Sequence, residues 1–210
     1  MRFLFAWFVK ITGFIPYLLT LRPKIYYENK KVQSRRIKGG AIVIGNHTSI
    51  VDFAATMFVF PFRTLRCVVA EIMFQRHFML TLFLRMLGAV RVDRDAHDFS
   101  FLGKCNAILR RGGVVEIYPE ARIPGKDEST PLPFKSSTAY LALESGARII
   151  PIYNNGKYLK KERLRIIVGT PIDVRALYDS SLSEKENLHV INEHLRGKII
   201  ALREELERRK

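Results

Sequence analysis

The segment AIVIGNHTSIVD, residues 41–52, joins a short β-branched run to a polar turn. Residues 41–46 have the length and composition of a buried strand, and the polar residues that follow are typical of the loop that leaves a strand. Helical periodicity then begins near residue 50 and continues to about residue 60. A strand followed at once by a helix is the repeating unit of α/β domains, so this segment predicts that fold class.

The same alternation continues along the chain. Besides residues 41–46, the strand candidates are 65–70, 89–93, 113–119, 148–153 and 163–169, and the helix candidates are about 50–60, 72–86, 98–111 and 137–145. A capping box at Ser183 and Glu186 begins a last helix whose apolar stripe is Leu188, Ile191, Leu195, Ile199, Leu202 and Leu206. We predict a single α/β domain with a mixed, largely parallel central sheet of six or seven strands flanked by helices.

Composition excludes several classes of protein. A chain of 210 residues that is 48% hydrophobic and 26% charged can bury one substantial core and is not disordered. Two cysteines, Cys67 and Cys105, cannot form a disulfide framework and lie in no C-x-x-C pair, which predicts a reducing compartment and no structural metal. The sequence contains no G-x-G-x-x-G, P-loop or G-x-S-x-G motif, so nucleotide binding and the serine-hydrolase elbow lack support.

The net charge of +15 indicates a polyanionic partner, either nucleic acid or an anionic membrane. Residues 1–40 contain nine Lys or Arg against one acid, Glu28, and they also contain the most apolar segment of the chain. Basic residues beside an aromatic-rich apolar segment favour a membrane surface over nucleic acid. We therefore predict membrane lipids and no nucleic acid among the partners.

The apolar segment FLFAWFVKITGFIPYLLTL, residues 3–21, is interrupted by Lys10 and Pro16. A spanning helix needs about 20 apolar residues, and no small-residue cleavage site of a signal peptide follows. We predict that residues 1–21 are a monotopic, interfacial anchor on the cytoplasmic face, with Trp7 and Tyr17 at headgroup depth. An ordinary N-terminal core helix is the alternative.

His47 follows the first strand candidate directly, where open α/β sheets place their ligands. If a helix starts near Ser49, Asp52 lies in its first turn and its carboxylate can reach the imidazole. Such a pair forms a general base, because the carboxylate fixes the tautomer and stabilises the imidazolium. The alternative is a capping box, with Ser49 as N-cap and Asp52 at the third position.

These residues carry a resemblance to a known family. Residues 45–52, GNHTSIVD, resemble the Asn-His-x4-Asp motif of the glycerolipid acyltransferases, and residues 88–94, GAVRVDR, are similar to the second block of that family. Residues 116–122, EIYPEAR, resemble the third block, in which proline and glutamate precede a glycine, a threonine and an arginine; here Ala121 alone separates Glu120 from Arg122. Phe134 with Lys135, and the proline-centred residues 143–152, resemble the last blocks, so the similarity spans about residues 40–170.

The resemblance implies that residues 22–210 are a catalytic domain. The resemblance further implies that this domain moves a fatty acyl group from acyl-CoA or acyl carrier protein to the free hydroxyl of 1-acyl-glycerol-3-phosphate, giving phosphatidate, without a further cofactor. The implied site residues are His47 as base and Asp52 as its orienting carboxylate, with Arg94, Arg122 and Lys135 on the acceptor phosphate and Glu120 on acceptor hydroxyls.

Several alternatives stay open at this point. Glu120 can instead be a loop residue paired with Arg122, and Arg94 a solvated side chain. The acceptor can be glycerol 3-phosphate or another lysolipid, or the chain can be an inactive lipid-binding homologue. A basic nucleic-acid-binding module is the remaining alternative.

Overall fold

The computed structural model describes residues 2–93, 99–158 and 162–209. A short 3₁₀ helix, Val174–Leu177, precedes the last helix. The other elements of the described chain are, in order, α1 (Arg2–Leu21), β1 (Lys24–Tyr27), β2 (Ala41–Gly45), α2 (Asp52–Val59), β3 (Leu65–Ala70), α3 (Glu71–Gln75), α4 (Phe78–Leu87), β4 (Val90–Val92), α5 (Ser100–Arg110), β5 (Val114–Ile117), α6 (Ser137–Ser145), β6 (Arg148–Asn154), β7 (Arg165–Val168) and α7 (Glu184–Arg208).

The strands form one sheet in the order β1-β7-β6-β2-β5-β3-β4. All neighbouring strands are parallel except β6 and β7, so β1 and β7 run opposite to the other five. Helices α5, α6 and α7 pack on one face of the sheet, and α1 and α2 pack on the other. The predicted α/β class, with a mixed and largely parallel sheet of six or seven strands, is confirmed.

Side chains that alternate along β2 build the two cores. Ile42 and Ile44 point into the core shared with α5, α6 and α7, whereas Ala41 and Val43 point into the core shared with α2. This strand is buried on both faces, as its unbroken apolar run predicts. The long helix α7 begins with the predicted capping box.

Two elements differ from the sequence-based expectation. Strand β1 lies in the basic stretch and carries no strong strand pattern; it forms because its residues pair in register with β7, a tertiary effect. The single helix predicted at 72–86 is two helices, α3 and α4. The break falls at His77, whose backbone is extended and whose ring accepts a hydrogen bond from the N–H of Met79, capping α4.

Helix α1 runs without interruption through Lys10 and Pro16. Lys10 faces inward, where its ammonium donates hydrogen bonds to the carbonyl of Phe60, at 2.7 Å, and to that of Arg63. Tyr17, expected at headgroup depth, is buried and stacks on Phe58 with ring centroids 4.5 Å apart. Within the described chain, α1 is the one helix long and apolar enough to cross a membrane, but its inner face belongs to the core.

Candidate functional site

Three neighbouring strands end at one edge of the sheet. β2 lies between β5 and β6 and is parallel to both, so the residues that follow them meet there. His47 follows β2, Glu120 follows β5, and Asn154 is the last residue of β6. The carboxyl edge of a parallel sheet is the usual place for a ligand site.

His47 and Asp52 are in direct contact at this edge. Helix α2 begins at Asp52, and Oδ2 of its carboxylate lies 2.8 Å from Nδ1 of His47. The same oxygen accepts hydrogen bonds from the backbone N–H groups of Thr48, at 2.6 Å, and Ser49, at 2.9 Å. Because this oxygen serves as the acceptor for both amides, the contact fits the imidazole tautomer in which Nδ1–H donates and Nε2 keeps its lone pair. The pair therefore presents a basic nitrogen away from the carboxylate.

The other carboxylate oxygen of Asp52 is held as well. The hydroxyl of Tyr158 donates to Oδ1 at 2.6 Å, and the hydroxyl of Thr48 lies 2.8 Å from the same atom. Burial raises the pKa of Tyr158, so its phenol stays protonated and remains a donor. These contacts leave the fully buried Asp52 side chain one orientation. Sequence analysis missed Tyr158, because it lies 106 positions from Asp52 and belongs to no motif.

The capping-box alternative is partly present in the structure. Asp52 accepts from the N–H of Ser49, as the acidic member of such a box would. The residue at the N-cap, however, is Val51, and no side chain caps it. The oxygen that bonds Ser49 is also the one that bonds His47, so local capping and orientation of the imidazole share one carboxylate.

Asn46 and Asn154 join the ends of β2 and β6. The side-chain amide of Asn46 donates to the carbonyl of Asn154 at 2.9 Å, and its oxygen accepts from the N–H of Asn154 at 2.9 Å. Both side chains are buried. Oδ1 of Asn154 accepts from the N–H of Gly156 at 2.9 Å and lies 3.1 Å from the Thr48 hydroxyl. Asn46 could have been included in the predicted site because it is adjacent to His47, whereas no local sequence pattern points to Asn154.

An aromatic ring lies against the imidazole. Tyr118 stacks on His47 with ring centroids 4.5 Å apart and an interplanar angle of 22°. Its hydroxyl lies 2.6 Å from Oε1 of Glu116, a fully buried carboxyl. Burial raises the pKa of Glu116 to about 8, so this group is mostly protonated at neutral pH. The stack gives the imidazole a fixed wall on one side.

Glu120 connects two loops at the site. Its Oε1 accepts from the N–H of His47 at 2.8 Å, and its Oε2 accepts from the N–H of Leu132 at 2.8 Å. The side chain is buried, which raises the pKa of its carboxyl. The alternative of a Glu120–Arg122 pair is not what the structure shows, because the guanidinium of Arg122 makes two hydrogen bonds of 2.5 Å to Glu128. Contact of Glu120 with acceptor hydroxyls stays a prediction.

The two predicted phosphate-binding residues that the structure describes lie outside the hydrogen-bonded cluster around His47 and Asp52. The side chain of Arg122 is about half exposed beside Glu128, and Lys135 is exposed. The N–H of Lys135 donates to the carbonyl of Pro119 at 3.0 Å, which sets Lys135 next to the third block. Arg94 lies outside the described residues. Across residues 2–93, 99–158 and 162–209, no three His, Cys, Asp or Glu residues group in a way that could hold a metal ion.

The sequence profile of the acyltransferase family matches residues 24–155, which is more than half of the chain. The chain belongs to the acyltransferase family. Human 1-acyl-sn-glycerol-3-phosphate acyltransferase beta is 26% identical to it over 148 residues, which are 70% of this chain and 50% of the human protein. The chain therefore spans about half the length of this curated relative. The resemblance inferred from the sequence motifs is confirmed.

A solved structure shares the fold of this acyltransferase. The crystal structure of PlsC, the 1-acyl-sn-glycerophosphate (LPA) acyltransferase from Thermotoga maritima, superimposes with a TM-score of 0.65 at 19% sequence identity. The similarity covers 93% of this chain and 78% of PlsC. It includes most of the chain outside the region matched by the family profile, and at this identity it bears on the fold alone.

The shortened third block of this family member has a specific geometry. Ala121 adopts a left-handed backbone conformation with φ of 61°, which glycine adopts far more readily than alanine. Ala121 thus has the backbone conformation that suits a glycine, and Arg122 follows it directly. The Arg122 side chain that follows pairs with Glu128.

Proposed function

We propose that the chain transfers a fatty acyl group from a thioester donor, acyl-CoA or acyl carrier protein, to the free hydroxyl of 1-acyl-glycerol-3-phosphate. The product is phosphatidate. The observation that carries this proposal is the His47 ring, whose Nδ1 is bonded to Asp52 and whose Nε2 is left to accept a proton. Family membership, and the name of the human relative, support this acceptor over other alcohols.

The reaction requires a base because the acceptor alcohol has a pKa far above neutral. As the alcohol oxygen attacks the thioester carbonyl carbon, Nε2 of His47 takes its proton, and the imidazolium is stabilised by Asp52. The carbon–sulfur bond then breaks, and the proton passes to the leaving thiolate. The products are the ester and a free thiol, and His47 returns to its starting state.

Direct transfer to the acceptor is the simplest course. An acyl-enzyme intermediate on sulfur needs a reactive thiolate at the site. Cys67 and Cys105 are buried, and burial raises the pKa of both thiols, that of Cys105 to about 12. Neither cysteine is suited to be the nucleophile.

The acceptor phosphate needs positive charge near His47, and we assign this to Arg94, Arg122 and Lys135. The guanidinium of Arg122 presents the bidentate face that suits phosphate, although Glu128 occupies it here. Solvent screens an exposed ion pair and makes it weak, so a phosphate dianion can displace this carboxylate at little cost. Glu120 then acts mainly on His47, by holding its backbone N–H.

We also propose that α1 attaches the enzyme to one leaflet, on the cytoplasmic face. Its outward side chains are exposed and apolar: Leu4, Phe8, Ile11, Ile15 and Leu19. The inward ammonium of Lys10 leaves this outer stripe without a charge. Lysolipid acceptors partition into bilayers, so a surface-bound enzyme meets a high local concentration of them.

The test is an acyl-transfer assay with the purified full chain in mixed micelles. Lysophosphatidate is offered with labelled acyl-CoA or acyl carrier protein of several chain lengths, and glycerol 3-phosphate and other lysolipids are offered in parallel. Labelled phosphatidate that is absent with the His47→Ala variant is the expected result. Transfer to glycerol 3-phosphate and to no other acceptor would show that lysophosphatidate is not the acceptor. No transfer from either donor by correctly folded protein would reject the proposed function.

A further inference from the structure

Helix α4 carries an apolar stripe that stays largely exposed within the described chain. Phe78, Met79, Leu82 and Phe83 are 39–75% exposed, although α4 has only ten residues. Their spacing places them along one side of the helix. The opposite side supplies Leu84 and Leu87 to the interior, so the exposed side chains are additional to those the fold needs.

The stripe on α4 continues the outer face of α1. The two helices pack against each other, and the rings of Phe5 and Phe83 meet edge to face with centroids 5.9 Å apart. Ile72 on α3, which packs on α4, is 67% exposed. We call the exposed apolar side chains of α1, α3 and α4 the α1–α4 surface. A contiguous apolar surface of this kind marks an interaction site.

We infer that the α1–α4 surface is a membrane-docking face and that α4 is a second element that inserts into the anionic leaflet. The choice of a bilayer over a protein partner rests on the proposed function, which draws its acceptor from lipid. Neither α1 nor α4 contains an acidic residue, and Arg76 and Arg85 are exposed at the two ends of α4. An anionic leaflet complements this charge, whereas a second copy of the chain would bring the same charge against itself.

This geometry also orients the site. Helix α3 begins directly after β3, at the carboxyl edge where His47 lies, and α4 follows it. Ile50 and Val51, three and four residues after His47, are exposed at the same edge. Docking through α4 as well as α1 brings this edge close to the headgroups. Attachment through α1 alone would leave the whole domain free to rotate about that helix. Two contact lines fix the tilt of the sheet against the leaflet.

The experiment compares vesicle binding of three full-length proteins. The α4 variant is Phe78→Ser/Met79→Ser/Leu82→Ser. Its matched control, Tyr140→Ser/Tyr178→Ser/Val190→Ser, removes three exposed apolar side chains from the opposite face of the sheet. Sedimentation with vesicles of phosphatidylcholine and phosphatidylglycerol gives the partition coefficient, vesicles of phosphatidylcholine alone measure the charge contribution, and circular dichroism with thermal melting verifies the fold.

The α4 variant should bind anionic vesicles at least about tenfold more weakly, the scale for losing even one buried apolar side chain, while the control binds like wild type. Acyl transfer to a short-chain soluble acceptor should be unchanged. Wild-type binding by the α4 variant would overturn the inference, as would loss of a dimer in sedimentation velocity without any loss of vesicle binding. Vesicle binding needs no turnover, so a protein that binds but transfers no acyl group would reject the proposed function and leave this inference standing.

Discussion

The phenol of Tyr158 donates a 2.6 Å hydrogen bond to Oδ1 of Asp52, while the other oxygen of that carboxylate bonds the imidazole of His47. A residue from the loop after β6 thus takes part in orienting Asp52 and, through it, His47. The His47–Asp52 pair is therefore held by contacts from both sides, and the orientation of Asp52 depends on a segment far away in the sequence.

Replacing Tyr158 with Phe removes this donor and nothing else. A hydrogen bond to a charged group contributes about 1.5–3 kcal/mol, but Asp52 keeps its other donors, so we expect kcat to fall by roughly tenfold. The KM for both substrates should stay near the wild-type value, because Tyr158 is not placed on either. Tyr140→Phe, on α6, is the control. Unchanged kcat would show that the remaining contacts of Asp52 suffice.

Glu120→Gln should destabilise the protein and lower its activity together. The Gln side chain offers one acceptor where the structure uses two, so either His47 or Leu132 loses a partner for its buried N–H. An unsatisfied buried donor costs about 1–3 kcal/mol, measured as the change in the free energy of unfolding. Glu128→Gln, on an exposed carboxyl, is the matched control. Wild-type stability of the Glu120 variant would show that its hydrogen bonds to His47 and Leu132 do not stabilise the fold.

The proposed contact between Arg122 and the acceptor phosphate can be tested by replacing Arg122 and its ion-pair partner Glu128 separately. Arg122→Ala should raise the KM for lysophosphatidate by roughly 10- to 100-fold, the scale for a charge-assisted hydrogen bond, and should leave use of an unphosphorylated analogue unchanged. Glu128→Ala frees the same guanidinium and should leave that KM equal or lower. If neither variant changes the KM, the shortened third block has moved Arg122 out of the site.

Much of the site was predictable because its main contact is local. His47 and Asp52 are five positions apart, so a strand, a turn and a helix start suffice to bring them together. Asn154 and Tyr158 reach the same place only through the pairing of β6 beside β2, which no local pattern encodes. The orientation of Lys10 was likewise hidden, since the buried face of a helix depends on what packs against it.

The packing of α1 changes how membrane attachment should be tested. Deleting residues 1–21 would remove Tyr17 and Leu21 from the core shared with α2, so a loss of activity would report on folding as well as on anchoring. Substitutions on the outer stripe of α1 avoid this problem.

Not all basic residues of the N-terminal stretch can contact anionic lipid. Arg35, like Lys10, makes hydrogen bonds within the protein, because its guanidinium donates to the carbonyls of Phe58 and Val59. These two residues are not available to anionic lipid.

Glu116 predicts a pH-dependent stability. Its pKa is about 8 in the folded protein and near 4.5 when unfolded, so its favourable contribution is fully present below about pH 4.5 and is lost as the pH rises through about 8. Between these values the wild type should therefore lose stability relative to Glu116→Gln, by a few kcal/mol at about 1.4 kcal/mol per pKa unit. Denaturant unfolding at several pH values measures the difference. A difference that stays constant with pH would mean that Glu116 titrates normally.

The most direct measurement is the rate of acyl transfer to lysophosphatidate by His47→Ala and Asp52→Asn, each shown to be folded. His47→Ala removes the base and should reduce kcat by roughly 10²- to 10⁴-fold, the scale of general-base catalysis, while acceptor binding largely survives. Asp52→Asn keeps the shape of the side chain, removes its charge, and should lose a large part of the same activity. Wild-type rates for both variants would contradict a general-base role for His47, and would leave Asp52 as a capping residue with no part in the chemistry.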